Sequence, residues 1–159
     1  MLRTHPDSPV PSAQRASYPG ARVAPYDPGL RFEVMVDTDV RTRRMEVPTG
    51  TDGVVPFDRI GCAHVPGIGD LDVWWLGSYG GGLFVPVKDG GAGRATYGGG
   101  RYLIDTVKGA DLGGDGGLVV LDFNFAYNPS CAYDPAWACP LAPPGNTVVK
   151  EIIAGELVP

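Results

Sequence analysis

The chain has 159 residues, of which 43% are hydrophobic and 19% are charged, and its formal net charge is -5. This size suits one domain whose core is large enough to fold without disulfides or metals. The acidic balance argues against general binding to nucleic acids or anionic membranes, which needs basic patches, and no apolar run is long enough to span a bilayer.

The N-terminal segment, residues 1–28, is rich in proline and has few apolar side chains. Proline fixes φ and removes a backbone donor, which predicts an extended arm that is poorly ordered or strapped on the surface of a domain at 29–159. The segment lacks the apolar core of a secretory signal, and the odd number of cysteines, 3, does not suit a secreted disulfide framework. We therefore expect a soluble cytoplasmic protein.

Short alternating or apolar segments separated by glycine-rich turns fill the rest of the chain. In residues 31–37, Phe32, Val34 and Val36 alternate with polar residues or Met35, which predicts a half-buried strand. Further strands are predicted at 45–47, 54–65, 71–76, 83–88, 101–107, 118–124 and 147–153, with a turn at 49–53. Because no segment shows helical periodicity, the pattern predicts an all-β fold, a single antiparallel β-barrel or barrel-like sandwich.

A long loop, residues 125–147, follows the most apolar strand and combines aromatic rings, cysteines and several prolines. Loops longer than about 15 residues in compact domains usually line sites or act as lids. We therefore expect an ordered loop over one end of the barrel, held by backbone hydrogen bonds from Asn128 and Asn146. The pocket beneath it is predicted to be walled by Arg101, Tyr102, Asp122, Asn124, Tyr127 and Tyr133.

Several motifs in the second half of the chain match a known family. They are Tyr97-Gly-Gly-Gly-Arg101-Tyr102-Leu103, LDFNFAYNPSCAY at 121–133, Cys139-Pro140, Pro143-Pro144, Asn146 and Ala154-Gly155-Glu156. Over roughly residues 83–156 the chain resembles the bacterial domain-of-unknown-function 1684 family. The resemblance implies common descent and no particular activity, because none is settled for the family.

Two charged residues stand in apolar surroundings. Arg101 opens a strand after three glycines, and Asp122 lies in the apolar strand LVVLDFN. Since a buried carboxylate needs a partner, they are predicted either to pair on adjacent strands or to face a substrate. In the second case Arg101, Asp122, Tyr127 and Glu156 are the catalytic candidates, and Glu156 is expected to reach Arg101 or a loop tyrosine. The ligand-binding candidates are Arg101, Tyr102, Asn124 and Tyr133.

The cysteines leave three interpretations open. Cys131 and Cys139 form a disulfide that staples the loop, they are buried free thiols, or they join Cys62 and His64 in a zinc site. Neither pair has the C-x-x-C spacing typical of zinc knuckles, so the sequence predicts no metal and no cofactor.

Three functions stay open at this point. The first is a small-molecule-binding barrel, either a simple binder or an enzyme, for an anionic or carbonyl-containing metabolite oriented by Arg101. The second is a non-catalytic protein-interaction module that uses the proline- and aromatic-rich loop 125–147. The third is a zinc-stabilised structural domain. No nucleic-acid or membrane partner is expected, and the sequence does not predict an oligomeric state.

Overall fold

The computed structural model describes residues 2–49, 53–77 and 80–159, and most of its regular structure is β. The strands are β1 (Arg31–Asp37), β2 (Arg44–Thr49), β3 (Gly53–Val65), β4 (Gly69–Leu76), β5 (Gly82–Val87), β6 (Arg101–Asp105) and β7 (Leu118–Asp122). One short helix, α1 (Ser12–Arg15), precedes them, and short 3-10 turns lie at Pro28–Leu30, Thr106–Lys108, Phe123–Phe125, Ser130–Ala132 and Pro144–Asn146. None of the helices in the described part of the chain has the length and apolar character needed to cross a membrane.

The strands form one antiparallel sheet in the order β6-β5-β4-β3-β1-β7, with β2 added beside β3. β3 is long enough to serve two neighbours along one edge. Its first half pairs with β2, and its second half pairs with β1 through Val36↔Ala63 and Asp37↔Cys62. A register shift between Arg59 and Gly61 separates the two halves on the β4 side. Such bulges bend and twist a strand, which helps the sheet to curl.

The sheet is strongly curled into a half-barrel, so the expected all-β, barrel-like fold is confirmed. Its β6 edge meets the chain just beyond β7 through a bridge between Tyr102 and Tyr127. Gly61 allows β1 to lie close beside β3, because a side chain at this position would collide with Val36. The residues Gly50, Thr51 and Asp52 of the predicted 49–53 turn lie outside the described residues.

The core has two parts. A large aliphatic cluster contains Val65, Leu71, Val85, Leu121 and further residues of the same kind. A second, mostly aromatic cluster consists of Val55, Phe57, Trp74, Phe84 and Tyr102, with Met45, Val47, Leu76 and Tyr127 packed against it. The aromatic cluster lies beside the long loop and forms one wall of the site described below.

The predicted strand at 147–153 is wrong. This segment forms only an isolated parallel bridge, Lys88↔Thr147, and a few further hydrogen bonds to the turn after β5, such as Gly90 N–H to the Lys150 carbonyl at 2.9 Å. Its apolar side chains still reach the core, since Val148 and Ile152 are buried. The burial of these two side chains therefore arises from packing of an irregular segment rather than from a paired strand.

The N-terminal arm runs along the surface beside the C-terminus. Val23 forms an antiparallel bridge with Glu156, and Ala24 N–H donates to the Gly155 carbonyl at 2.9 Å. Further along, the Asn124 side chain accepts a hydrogen bond from Asp27 N–H at 2.8 Å and donates one to the Asp27 carbonyl at 2.8 Å. These contacts attach residues 22–27 to the end of the barrel near β7.

Candidate functional site

A cavity of about 260 Å³ lies between the aromatic wall of the sheet and the long loop, as expected from the sequence. The sheet side contributes mainly apolar side chains. Two segments of the long loop, 127–130 and 137–140, cover them. The lining residues are Thr49, Val55, Phe57, Leu76, Phe84, Tyr102, Asp105, Val107, Lys108, Tyr127, Asn128, Pro129, Ser130, Trp137, Ala138, Cys139 and Pro140. Lys108 and Ala138 are solvent-exposed, which marks this side as the mouth.

A row of four aromatic rings forms the floor of the cavity. Phe57 contacts Phe84 with ring centroids 5.2 Å apart, Phe84 contacts Tyr102 at 4.9 Å, and Tyr102 contacts Tyr127 at 5.5 Å. All three contacts are edge-to-face, the arrangement that aromatic quadrupoles favour. The row crosses from β3 through β5 and β6 to the long loop, so it fixes the loop against the sheet and gives the cavity a rigid apolar surface.

Asp105, at the end of β6, is the carboxylate of the cavity wall and is only 4% exposed. Its contacts are long: Tyr127 Oη lies 3.5 Å from Oδ2, and Lys108 N–H lies 3.4 Å from Oδ1. Burial raises the pKa of Asp105, although the nearby Lys108 charge opposes this shift. A desolvated carboxylate with weak partners favours a ligand that donates a hydrogen bond to it.

Asn128 lines the cavity and ties the long loop to the C-terminal segment. Its backbone N–H donates to Glu156 Oε2 at 2.7 Å and its side-chain amide donates to the Leu157 carbonyl at 2.8 Å. Its Oδ1 atom is buried and has no hydrogen-bond partner among the described residues. The expected role of Asn128 in holding the loop is confirmed by its two hydrogen bonds to the C-terminal segment.

The tyrosines of the cavity are neutral structural donors. Tyr102 donates its hydroxyl to the Pro140 carbonyl at 2.7 Å, which attaches the far end of the long loop to β6. Burial raises the pKa of Tyr102 well above its ordinary value, and burial together with the Asp105 charge does the same for Tyr127. Neither phenol therefore ionises near neutral pH, and each can donate a hydrogen bond.

Arg101 does not line the cavity, and its expected pairing with Asp122 is wrong. The side chain is fully buried on the C-terminal side of the barrel, where its guanidinium forms an ion pair with Asp89 at 3.1 Å. The same guanidinium donates to the carbonyls of Ile152, Ala154 and Glu156. These four acceptors explain the position of Arg101 without a ligand, because a buried guanidinium is tolerated only when it is paired and hydrogen-bonded.

Asp89 completes this buried network, which we call the Arg101–Asp89 hub. Its Oδ1 accepts hydrogen bonds from the N–H groups of Gly91 at 2.7 Å and Ile152 at 3.2 Å, and its Oδ2 accepts one from Thr96 Oγ1 at 2.8 Å. The carboxylate thus ties the turn after β5 to the C-terminal segment. No local pattern in the sequence indicates this role of Asp89, which directly follows the predicted strand at 83–88.

Asp122 and Asn124 also lie away from the cavity. Asp122 accepts hydrogen bonds from the backbone and side-chain amides of Asn124, at 3.0 and 2.7 Å, and its Oδ2 lies 3.3 Å from Tyr26 Oη. Together with the Asn124 contacts to Asp27, this places both residues beneath the N-terminal arm. The sequence grouped them with the pocket, and the structure instead gives them a role in attaching the arm.

Tyr133 and Glu156 contact each other, so the expected reach of Glu156 to a loop tyrosine is confirmed. The Tyr133 hydroxyl donates to Glu156 Oε2 at 2.9 Å, the same atom that accepts from Asn128 N–H. Burial and the Glu156 charge raise the pKa of Tyr133 far above its ordinary value. Neither residue lines the cavity, and both hold the long loop against the C-terminus.

The zinc set predicted from Cys62, His64, Cys131 and Cys139 is not assembled. Among residues 2–49, 53–77 and 80–159, the group of metal-ligand side chains that converges is Cys62, His64 and Asp70. All three cysteines are free thiols. In the long loop, Cys131 N–H donates to Cys139 Sγ at 3.3 Å, and burial raises the pKa of Cys139 to about 11, which makes a weakly reactive thiol.

Sequence reasoning missed the residue with the most unusual environment in the cavity, Asp105. A usable signal was present, because this aspartate ends the apolar run Tyr102–Ile104 on a strand predicted to be buried. Asp122 has an equivalent place after the apolar residues of β7, and the same pattern made it a candidate. Sequence alone does not say which of two such carboxylates receives strong hydrogen bonds and which opens on a cavity.

Similar proteins support the fold and leave the activity open. The solution NMR structure of an uncharacterized protein of Haloarcula marismortui is 30% identical, with a TM-score of 0.66, over 94% of this chain and 82% of that chain. No curated protein matches the chain. The model of a family described as protein of unknown function (DUF1684) matches residues 16–157, nearly the whole length and well beyond the motifs of the C-terminal half. The chain therefore belongs to the DUF1684 family.

Proposed function

We propose that this protein binds a small, mainly apolar molecule that carries a hydrogen-bond donor, in the cavity between the sheet and the long loop. The observation that carries the proposal is the buried Asp105 carboxylate, which borders an aromatic cavity and whose hydrogen-bond contacts are 3.4 Å or longer. Pockets of this kind, apolar with a few polar groups that fix orientation, are typical of small-molecule sites.

The size of the cavity limits the ligand. Its volume of about 260 Å³ is larger than the roughly 150 Å³ cavity that holds benzene and smaller than the 300–1,000 Å³ of drug-sized pockets. A molecule of one or two fused rings, or an aliphatic one of similar bulk, fits this range. The edge-to-face aromatic row of Phe57, Phe84, Tyr102 and Tyr127 favours a flat unsaturated ligand.

The polar groups argue for a neutral or donor-bearing ligand. Asp105 accepts hydrogen bonds when it is ionised, and its present contacts are long. An anionic group beside Asp105 is disfavoured by like charge in a desolvated site. The anionic or carbonyl-containing metabolite expected from the sequence depended on Arg101, which does not line the cavity and whose Nη1 and Nη2 groups donate within the Arg101–Asp89 hub. The ligand class is therefore revised to one with a hydroxyl or amine.

The interaction-module alternative has less support. It requires the aromatic side chains of the long loop to form an exposed surface. Tyr127 and Trp137 instead line the cavity, and Tyr133 is engaged by Glu156. The exposed large hydrophobic side chains of the loop are Phe125 and Leu141, which are far apart in sequence.

Calorimetric titration with three naphthalene derivatives tests the proposal. We expect 2-naphthol to bind with one molecule per chain and about 10-fold or more tightly than 2-naphthoate, because the hydroxyl donates to Asp105 and the carboxylate is repelled by it. The variant Asp105→Leu should remove the advantage of 2-naphthol over naphthalene, which a hydrogen bond to a charged group sets at about 1.5–3 kcal/mol.

The control is Asp115→Leu, which removes an exposed carboxylate on the loop between β6 and β7. It should leave the affinity for 2-naphthol unchanged. Equal binding of 2-naphthol and 2-naphthoate, or no saturable binding of either compound, would show that the cavity does not select a donor-bearing ligand.

A further inference from the structure

A cluster of metal-ligand side chains lies on the outer face of the β3–β4 hairpin, and none of its three residues lines the cavity. Cys62 Sγ, a ring nitrogen of His64 and a carboxylate oxygen of Asp70 all lie within 4.8 Å of one another. We propose that these three side chains form a zinc-binding site on this hairpin, with water as the fourth ligand.

The strand geometry explains why the three side chains converge. Cys62 and His64 are two residues apart in β3, so they point to the same face of the sheet. Asp70 in β4 is the direct register partner of His64 across the hairpin. The Cβ atoms of such cross-strand pairs lie about 4.5–5.5 Å apart. The pairing of β3 with β4 is therefore enough to bring the three donor atoms together.

The donor types select the metal. A thiolate, an imidazole and a carboxylate are ligands that zinc accepts in one tetrahedral site, whereas Mg²⁺ and Ca²⁺ prefer oxygen donors alone. With Zn–N and Zn–O bonds of about 2.0–2.2 Å and a Zn–S bond of about 2.3 Å, the donor atoms in a bound site lie roughly 3.5 Å apart. The side chains of His64 and Asp70 are 59% and 68% exposed, so both have room to turn through the remaining distance.

The histidine has a carboxylate on each ring nitrogen. Its Nδ1 lies 2.8 Å from Asp70 Oδ1, and its Nε2 lies 3.7 Å from Asp37 Oδ2 in β1. With Nδ1 bound to the metal beside Asp70, the Nε2–H group is free to donate to Asp37. A carboxylate on the distal nitrogen orients the ring of zinc-bound histidines and makes the ligand nitrogen more basic.

The surrounding charge also favours a divalent cation. The ion pairs of Asp37 and Asp70 are both with His64, while the neighbouring Asp72 is already paired with Arg59 at 2.6 Å. A bound Zn²⁺ adds positive charge where two carboxylates share one imidazole. Arg59 keeps Asp72 occupied, which leaves Cys62, His64 and Asp70 as the ligand set.

Zinc titration of the metal-free, untagged full chain tests the site. We expect one Zn²⁺ per chain, with affinity reduced about 10-fold or more in His64→Gln and in Asp70→Asn. His5→Gln is the matched control, because it removes the other of the 2 histidines and should leave the affinity unchanged. Absence of saturable binding at one Zn²⁺ per chain in the wild-type protein, or loss in His5→Gln instead of His64→Gln, overturns the site.

Cobalt substitution identifies the thiol that binds the metal. The double variant Cys131→Ser/Cys139→Ser retains Cys62 alone, and it should show the ultraviolet charge-transfer band of a thiolate bound to Co²⁺. Cys62→Ser should lack that band while its circular dichroism remains that of the wild-type fold. A band that persists in Cys62→Ser and disappears in the double variant places the metal at the loop thiols and refutes the hairpin site.

Discussion

At the scale of single residues, the Arg101–Asp89 hub is where a substitution should lower stability most. Arg101 is wholly buried and meets one carboxylate and three carbonyls from the C-terminal segment. Removing one partner of a buried ion pair leaves an uncompensated charge, which is far more costly than the pair itself is stabilising. The hub therefore fixes the C-terminal segment to the barrel, independently of any ligand.

The variant Arg101→Met tests this role. It leaves the Asp89 charge buried and should lower the free energy of unfolding by about 3–5 kcal/mol, measured by urea denaturation. The control Arg94→Met removes an exposed arginine whose ion pair with Glu151 is 3.5 Å long, and it should cost less than about 1 kcal/mol. Similar losses in the two variants would contradict the hub.

Asp105 is predicted to destabilise the protein as the pH rises. Burial raises its pKa in the folded state, so between the unfolded pKa of about 3.9 and the raised value the folded chain retains a proton that the unfolded chain has lost. Stability from this group is therefore present in acid and is lost as the pH rises through that window. Asp105→Asn does not ionise and should melt at a higher temperature than the wild type at neutral pH.

Thermal melts from acid to neutral pH check this expectation. The gain in melting temperature from Asp105→Asn should shrink as the pH falls. It should vanish below about pH 4, where Asp105 is protonated in both the folded and the unfolded chain. Asp115→Asn controls for the general effect of losing one exposed negative charge. A gain that is equal at every pH, or a loss of stability at neutral pH, would show that Asp105 carries no burial penalty.

At the scale of elements, Asn146 anchors the C-terminal end of the long loop to the sheet. Its amide donates to the carbonyls of Asp72 at 2.8 Å and Pro86 at 2.9 Å, and its Oδ1 accepts from Trp74 Nε1 at 2.9 Å. The side chain is fully buried, so every one of these partners lies out of reach of solvent. One amide thus joins β4, β5 and the loop. This agrees with the expectation from the sequence that Asn146 holds the long loop.

Asn146→Ala should therefore be strongly destabilising. It leaves an indole N–H and two carbonyls without a partner, each worth about 1–3 kcal/mol when buried, and we expect a total loss of roughly 3 kcal/mol or more in urea denaturation. Thr147→Ala is the control, since its hydroxyl bond to the Pro143 carbonyl is 3.2 Å long and exposed. A loss for Asn146→Ala no larger than that for Thr147→Ala would mean that the loop is held by its other contacts.

The strands were predictable because their patterns are local. Period-two alternation in β1 and the apolar run of β7 are both properties of neighbouring residues, and the structure has strands in both places. The segment 147–153 has a similar pattern but lacks a partner strand, and its burial depends on distant contacts with the turn after β5. Sequence alone reports which side chains are apolar and does not report whether a backbone partner is available.

The site was predictable in part for the same reason. A cavity beneath the long loop follows from the length and composition of that loop, and Tyr102 and Tyr127 do line it. The choice of its polar group required knowledge of long-range hydrogen bonds. The Nη1 and Nη2 groups of Arg101 donate to carbonyls some fifty positions away in sequence, whereas the Asp105 carboxylate receives only long contacts. No local pattern distinguishes these two outcomes.

At the scale of the whole molecule, the half-barrel has three separate regions. The Arg101–Asp89 hub holds the C-terminal segment, the Cys62–His64–Asp70 cluster lies on the outer face of the β3–β4 hairpin, and the aromatic cavity lies beneath the long loop. Since the hub has no part in the cavity, loss of stability and loss of ligand binding should be separable. Substitutions of Asp105 should change ligand binding, whereas substitutions of Arg101 or Asp89 should lower the stability of the fold.

The central claim is that the cavity beneath the long loop is the ligand site, and the most direct test is NMR of the protein with 2-naphthol. We expect intermolecular nuclear Overhauser effects between the naphthol ring and the side chains of Val55, Phe84 and Tyr127, which line the cavity. Effects confined to exposed apolar residues such as Phe125, Leu141 or Val149, or no intermolecular effects with 2-naphthol in excess, would contradict it.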